Sequence, residues 1–129
     1  MNIAGHYIRT GQGGSAELRI TSSLTVSYRY HIEGLALYGE ERLGGPNMGV
    51  LEFSSDLEGT TIRHSENGEE GHQIVLIFSA DSLEVTEENW VGVYGMNVNF
   101  VGTYQRASAL GGMLSSIRRA VRRLLSRMK

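Results

Sequence analysis

A chain of 129 residues, 40% apolar and 20% charged, has the proportions of one folded domain with its own core, not of a disordered segment; no apolar run approaches the roughly 18 residues of a membrane helix. Cysteine is absent, which excludes disulfide scaffolds, thiolate-held zinc and thiol catalysis. The net charge of −2 hides a division: fourteen acids and five arginines precede Tyr104, a net −9, whereas the remainder carries seven basic residues and no acid.

Met1-Asn2-Ile3-Ala4 leads straight into Gly5-His6-Tyr7-Ile8-Arg9, with neither a basic n-region nor an apolar h-region. The expectation is a cytoplasmic protein as written, or a periplasmic one if this is a mature form. Thr10-Gly11-Gln12-Gly13-Gly14-Ser15 predicts a flexible hairpin loop. Leu18 and Ile20 alternate with Glu17, Arg19 and Thr21. Leu24, Val26, Tyr28, Tyr30 and Ile32 then alternate with polar residues, which predicts one strand with a single buried face. Gly44-Gly45-Pro46-Asn47 predicts a longer loop before Leu51 and Phe53 alternate with Glu52 and Ser54. Leu57-Glu58-Gly59-Thr60 and Glu66-Asn67-Gly68-Glu69 predict tight turns, the second holding an Asn-Gly pair suited to a hairpin. Ile74-Val75-Leu76-Ile77-Phe78 is apolar on both faces, which predicts a central strand or one whose outer face is covered. Leu83 and Val85 begin another strand, and Val98 and Phe100 lead into the last.

Strands that follow one another through short turns, without a helix between them, predict an all-β domain over residues 1–106. Its expected form is an antiparallel up-and-down barrel of about eight strands, because closure removes exposed edges. One echo supports closure: Gly5-x-Tyr7-x-Arg9 returns as Gly102-x-Tyr104-x-Arg106, so that pairing of the first and last strands lets both tyrosines seal the seam.

After Arg106 the pattern changes. Residues 107–112 read as a linker, and residues 113–129 as a basic amphipathic C-terminal α-helix, strongest from Leu114 to Arg127. Its apolar stripe holds Leu114, Ile117, Val121, Leu124, Leu125 and Met128, while Arg118, Arg119, Arg122, Arg123 and Arg127 fill most of the opposite arc. Such a stripe is costly to leave in water, so Ile117, Arg118, Val121, Arg122, Leu124 and Leu125 are expected to contact a surface. The candidates are the acidic barrel itself, a second copy in a homo-oligomer, and an anionic membrane surface. Protein is preferred; nucleic acid is not expected, since the body is acidic and the tail lacks interleaved aromatics.

Ala4-Gly5-x-Tyr7-x-Arg9, Ala16-Glu17-Leu18-x-Ile20, the apolar strand through Phe78, and Gly95-Met96-x-Val98-x-Phe100-x-Gly102-x-Tyr104-x-Arg106 together resemble small bacterial calycin-like β-barrels related to lysozyme inhibitors. The resemblance spans about residues 3–106. It implies an eight-stranded barrel with a G-x-Y-x-R at each end and a role as an inhibitor or immunity protein. The chain departs from that family in lacking an export signal, in lacking cysteines near Gln73 and Trp90, and in adding the basic helix.

The residues offer no legible active site. His6, His31, His64 and His72 are scattered, and neither a Gly-x-Ser-x-Gly elbow nor a phosphate-binding loop occurs. Gly11-x-Gly13-Gly14 precedes a strand where a phosphate cradle needs a helix. Glu40-Glu41, Glu69-Glu70 and Glu87-Glu88 read as solvated loop acids. Trp90, with Glu87, Glu88, Asn89 and Tyr94, lies in the loop before the last strand, an aromatic and acidic segment that reads either as a recognition patch for a partner or as a lid over the barrel end. The expectation is a binding protein without catalytic activity, metal or cofactor, neutralising a basic partner protein through its acidic surface and loops. A barrel enclosing a small hydrophobic ligand is the alternative, against which Tyr28, Tyr30, Phe53 and Phe78 are expected to fill the lumen. A barrel held at a membrane surface by the basic helix is another.

Overall fold

The alternating segments form eight antiparallel strands in a computed structural model that describes residues 2–11, 14–39, 47–66, 68, 70–95 and 97–107. They are β1 (Gly5–Thr10), β2 (Ala16–Ser22), β3 (Arg29–Tyr38), β4 (Asn47–Glu58), β5 (Thr61–Ser65), β6 (Gln73–Phe78), β7 (Ser82–Glu88) and β8 (Gly102–Arg106). Each pairs with the next in sequence, and β8 pairs with β1, so the barrel is closed. Period-two patterning dictates which side chains go inside: Leu18, Ile32, Phe53, Leu76 and Val85 turn inward and are buried, while Arg19, Glu33, Glu52, Ile77 and Glu84 between or beside them are exposed. Each large side chain fully buried contributes about 1.5–3 kcal/mol.

The seam is built from one motif used twice. Asn2-Ile3-Ala4-Gly5-x-Tyr7-x-Arg9 and Asn99-Phe100-Val101-Gly102-x-Tyr104-x-Arg106 share the pattern Asn, two apolar residues, Gly, x, Tyr, x, Arg. Tyr7 lies opposite Arg106 and Arg9 opposite Tyr104. The contacts repeat almost atom for atom. Tyr7 donates its hydroxyl to the Ile3 carbonyl at 2.7 Å, and Tyr104 donates to the Phe100 carbonyl at 2.7 Å. Asn2 Oδ1 accepts from the Ala4 amide, and Asn99 Oδ1 from the Val101 amide. Arg9 donates to the carbonyls of Asn99 and Val101 at 2.8 and 3.2 Å; Arg106 donates to those of Asn2 and Ala4. Arg106 also lies over the Tyr7 ring, 5.2 Å from its centre. Both glycines take φ values (+151° at Gly5, +144° at Gly102) that other residues rarely adopt, and a Cβ at Gly102 would stand 2.9 Å from Arg9 Cδ. Each terminal strand thus grips the lead-in of the other.

Two expectations are corrected here. The strand expected from Leu24 starts at Arg29. Ser23 Oγ accepts from the amides of Thr25 and Val26, and the Ser23 amide bonds the Arg29 carbonyl at 2.9 Å, so a side-chain-capped turn replaces the ladder there. Leu24 and Tyr28 are consequently exposed, and Tyr28 does not fill the lumen, whereas Tyr30, Phe53 and Phe78 are buried as expected. β6 is a central strand, one of the two forms expected for it, with β5 and β7 on either side; the other form, a covered outer face, does not hold, since Val75 is half-buried and Ile77 44% exposed. The predicted C-terminal helix lies outside the described residues.

Candidate functional site

The β7–β8 connection, residues 89–101, crosses one end of the barrel. Val98 and Phe100 are buried in the core, and Tyr94 packs against it. The facing staves make room with glycine. A Cβ at Gly34 would stand 2.8 Å from Phe100 Cε1, and one at Gly49 would stand 2.7 Å from Val98 Cγ1 and 2.9 Å from Tyr94 Cβ. The connection is therefore a plug fitted to β3 and β4.

Its anchor is Glu87. Leu83 and Val85 point inward, and the same alternation carries Glu87 inside at the end of β7, where its side chain is 0% exposed. Oε1 accepts from the Tyr94 hydroxyl at 2.7 Å and lies 2.7 Å from His72 Nε2; Oε2 accepts from the Phe100 amide at 2.6 Å. Tyr94 sets its ring edge-on to both His72 and Phe100. Burial, reinforced by the charge of Glu87 and the bond to it, pushes the Tyr94 hydroxyl far above its ordinary range. A His–Glu–Tyr group has the makings of an acid–base relay, and here its hydrogen bonds also hold the plug. Asn89 adds a second tether: at φ +59° it donates Nδ2 to the carbonyls of Gly71 and Glu70 at 2.9 and 3.3 Å, joining the β5–β6 and β7–β8 loops.

The five residues expected to contact a partner thus separate. Glu88 is exposed, Asn89 is at the surface but bonded to the neighbouring loop, Trp90 and Tyr94 are half-buried, and the Glu87 side chain is enclosed. The large apolar side chains that stand in solvent between Asn89 and Gly95 are Val91, 82% exposed, and Val93, 44% exposed. Sequence reasoning passed over both, although an apolar Val-Gly-Val following Trp90 in a loop was a signal for them. Glu66, Glu70 and Glu88 are exposed on the same barrel end.

On the outer wall, histidines that are scattered in sequence meet carboxylates. His31 Nε2 lies 3.2 Å from Glu33 and 3.0 Å from Glu52, while Nδ1 lies 3.0 Å from Ser54 Oγ. Glu33 and Glu52 are direct cross-strand partners, a repulsive placement, and together with His31 they form a cluster whose geometry could hold a metal ion. His64 stacks on Phe53 at 4.3 Å between ring centres. The chain matches no family model, no curated protein and no solved structure in comparisons with known proteins.

Proposed function

We propose that the barrel is a non-catalytic binding protein, an inhibitor or immunity-type protein of calycin-like descent, that neutralises a basic partner protein through the loop 89–95. The single observation carrying this reading is that two valines stand in solvent on a connection that is locked from beneath. Exposed apolar side chains on a rigid support bind with little ordering cost, and surrounding acids speed encounter with a basic surface. Glu87, Tyr94, His72 and Asn89 supply the support; Glu66, Glu70 and Glu88 supply the charge. The lumen is occupied by the plug and by Tyr7, Phe53, Phe78 and Tyr104, which favours this reading over a barrel built around a small ligand.

The test uses a basic lysozyme as the first probe, titrated against the full chain and against its Val91→Asp/Val93→Asp variant. Salt-sensitive inhibition by the parent chain, weakened at least about tenfold in the variant, is the expected result. Equal behaviour of the two chains towards every basic protein tried, together with an apolar small molecule retained in native mass spectrometry, would reject it.

A further inference from the structure

Two side chains on the outside of the barrel are as dry as its core. Ile8 lies opposite Glu17 on β2 and Gln105 on β8, and Leu37 lies opposite Met48 on β4; all of these belong to the outward-facing set. Neither joins the lumen cluster, yet Ile8 is 0% and Leu37 1% exposed. Ile77, an outward isoleucine on β6, is 44% exposed, and outward Val50 is 63% exposed. An outward side chain in a barrel wall stays dry only beneath a cover. The same strip holds half-buried Leu35 and Met48, and Glu17 carries an Oε2 atom shut off from water. A groove of about 350 Å³ runs beside it, lined by Glu17, Glu33, Leu35, Val50 and Glu52 among others.

We infer that the chain's own C-terminal segment, residues 113–128, docks lengthwise along the outer face of β1–β4 over Ile8, Leu35 and Leu37. Three matches identify the occupant. The segment's stripe of Leu114, Ile117, Val121, Leu124 and Leu125 needs an apolar seat, and its arginines meet three acids beside this one, Glu17, Glu33 and Glu52, which outnumber the cation Arg19, itself bonded to His6. The seat is also within reach. β8 ends at Arg106, beside Ile8 across the seam, and β3 stands three strand spacings from β8, about 14 Å. A six-residue linker spans up to about 20 Å, and a helix from Leu114 to Arg127 is about 21 Å long, the length of a barrel stave. This surface meets the loop 89–95 only at Met48, whose backbone lies close to Gly95, and the inference stands whether or not that loop binds a partner.

The natural absence of cysteine permits a direct test on the full chain. Leu35→Cys with Val121→Cys should close an intramolecular disulfide under mild oxidation, at least about tenfold faster than Ile77→Cys with Val121→Cys, because docking raises the local thiol concentration. Equal rates for the two pairs, or a disulfide-linked dimer as the main product, would overturn the inference, the dimer pointing to a second copy as occupant. The single variant Leu35→Cys gives an independent reading: its alkylation should speed up at least about tenfold when Ile117→Asp and Leu124→Asp are added, since the cover is then lost. An unchanged rate, with sedimentation of the parent chain on phosphatidylserine vesicles, would place the tail on membranes instead.

Discussion

Neighbouring glutamates at the end of β7 have opposite fates. Glu87 is enclosed with three donors around it, while Glu88 stands in solvent. Glu87→Ala leaves the Tyr94 hydroxyl and the Phe100 amide without their acceptor in a water-poor site, and should destabilise the barrel by about 3 kcal/mol or more. Glu88→Ala should change stability by less than about 0.5 kcal/mol. Urea unfolding of the two variants measures the contrast, and equal losses would mean that Glu87 is no anchor. Gly34→Ala is expected to cost about 1–3 kcal/mol, because its new methyl would meet Leu18 and Phe100 at under 3 Å. The doublet Glu87-Glu88 read as loop acids because charge alone suggests solvent. Continuing the alternation of Leu83 and Val85 by one step would have placed Glu87 inside.

At the scale of strands, the seam is where the sequence was most legible. The recurrence of Gly-x-Tyr-x-Arg was visible, and the structure extends it back to Asn2 and Asn99, whose polar character drew no notice beside the aromatic residues. Arg9 is 5% exposed and spans three carbonyls, those of Gly14, Asn99 and Val101. Lysine offers a point charge where a planar fork is needed, so Arg9→Lys should cost about 2 kcal/mol; at half-buried Arg106 water can substitute, and Arg106→Lys should cost about 1 kcal/mol or less. Denaturant midpoints rank the two, and the reverse order would break the account. The turn at Ser23–Tyr28 was illegible for a physical reason: Leu24 and Val26 continue a period-two pattern, but the pattern cannot register a hydroxyl that captures two backbone amides. The His31–Glu33–Glu52 group was equally hidden, since its members come together only through the register of β3 on β4.

For the whole molecule, the barrel is an alkali-sensitive object. Burial raises the hydroxyls of Tyr7, Tyr94 and Tyr104 above their ordinary 10.0; Arg106 and Arg9 partly oppose this at Tyr7 and Tyr104, while Glu87 adds to it at Tyr94. The unfolded chain therefore loses these protons first. Their contribution to stability is fully present below pH 10 and declines as pH rises from there towards the folded values. Melting temperature should start to fall near pH 10, and phenolate absorbance from these tyrosines should rise together with the loss of β-structure. Ionisation of all three well ahead of unfolding would show the interior to be wetter than the geometry implies. The reciprocal grip of β1 and β8 also carries a consequence in time. Arg9 holds the lead-in to β8, and Arg106 holds the lead-in to β1, so the first grip needs the chain through Val101 and the pair is complete only once Arg106 has been made. At a synthesis rate of about 5–20 residues per second, β1 waits on the order of 5–20 s with one edge unpaired before its partner emerges. The last strand translated is the one that finishes the first, and any sheet formed before it is made is an open one, the form most exposed to wrong pairing.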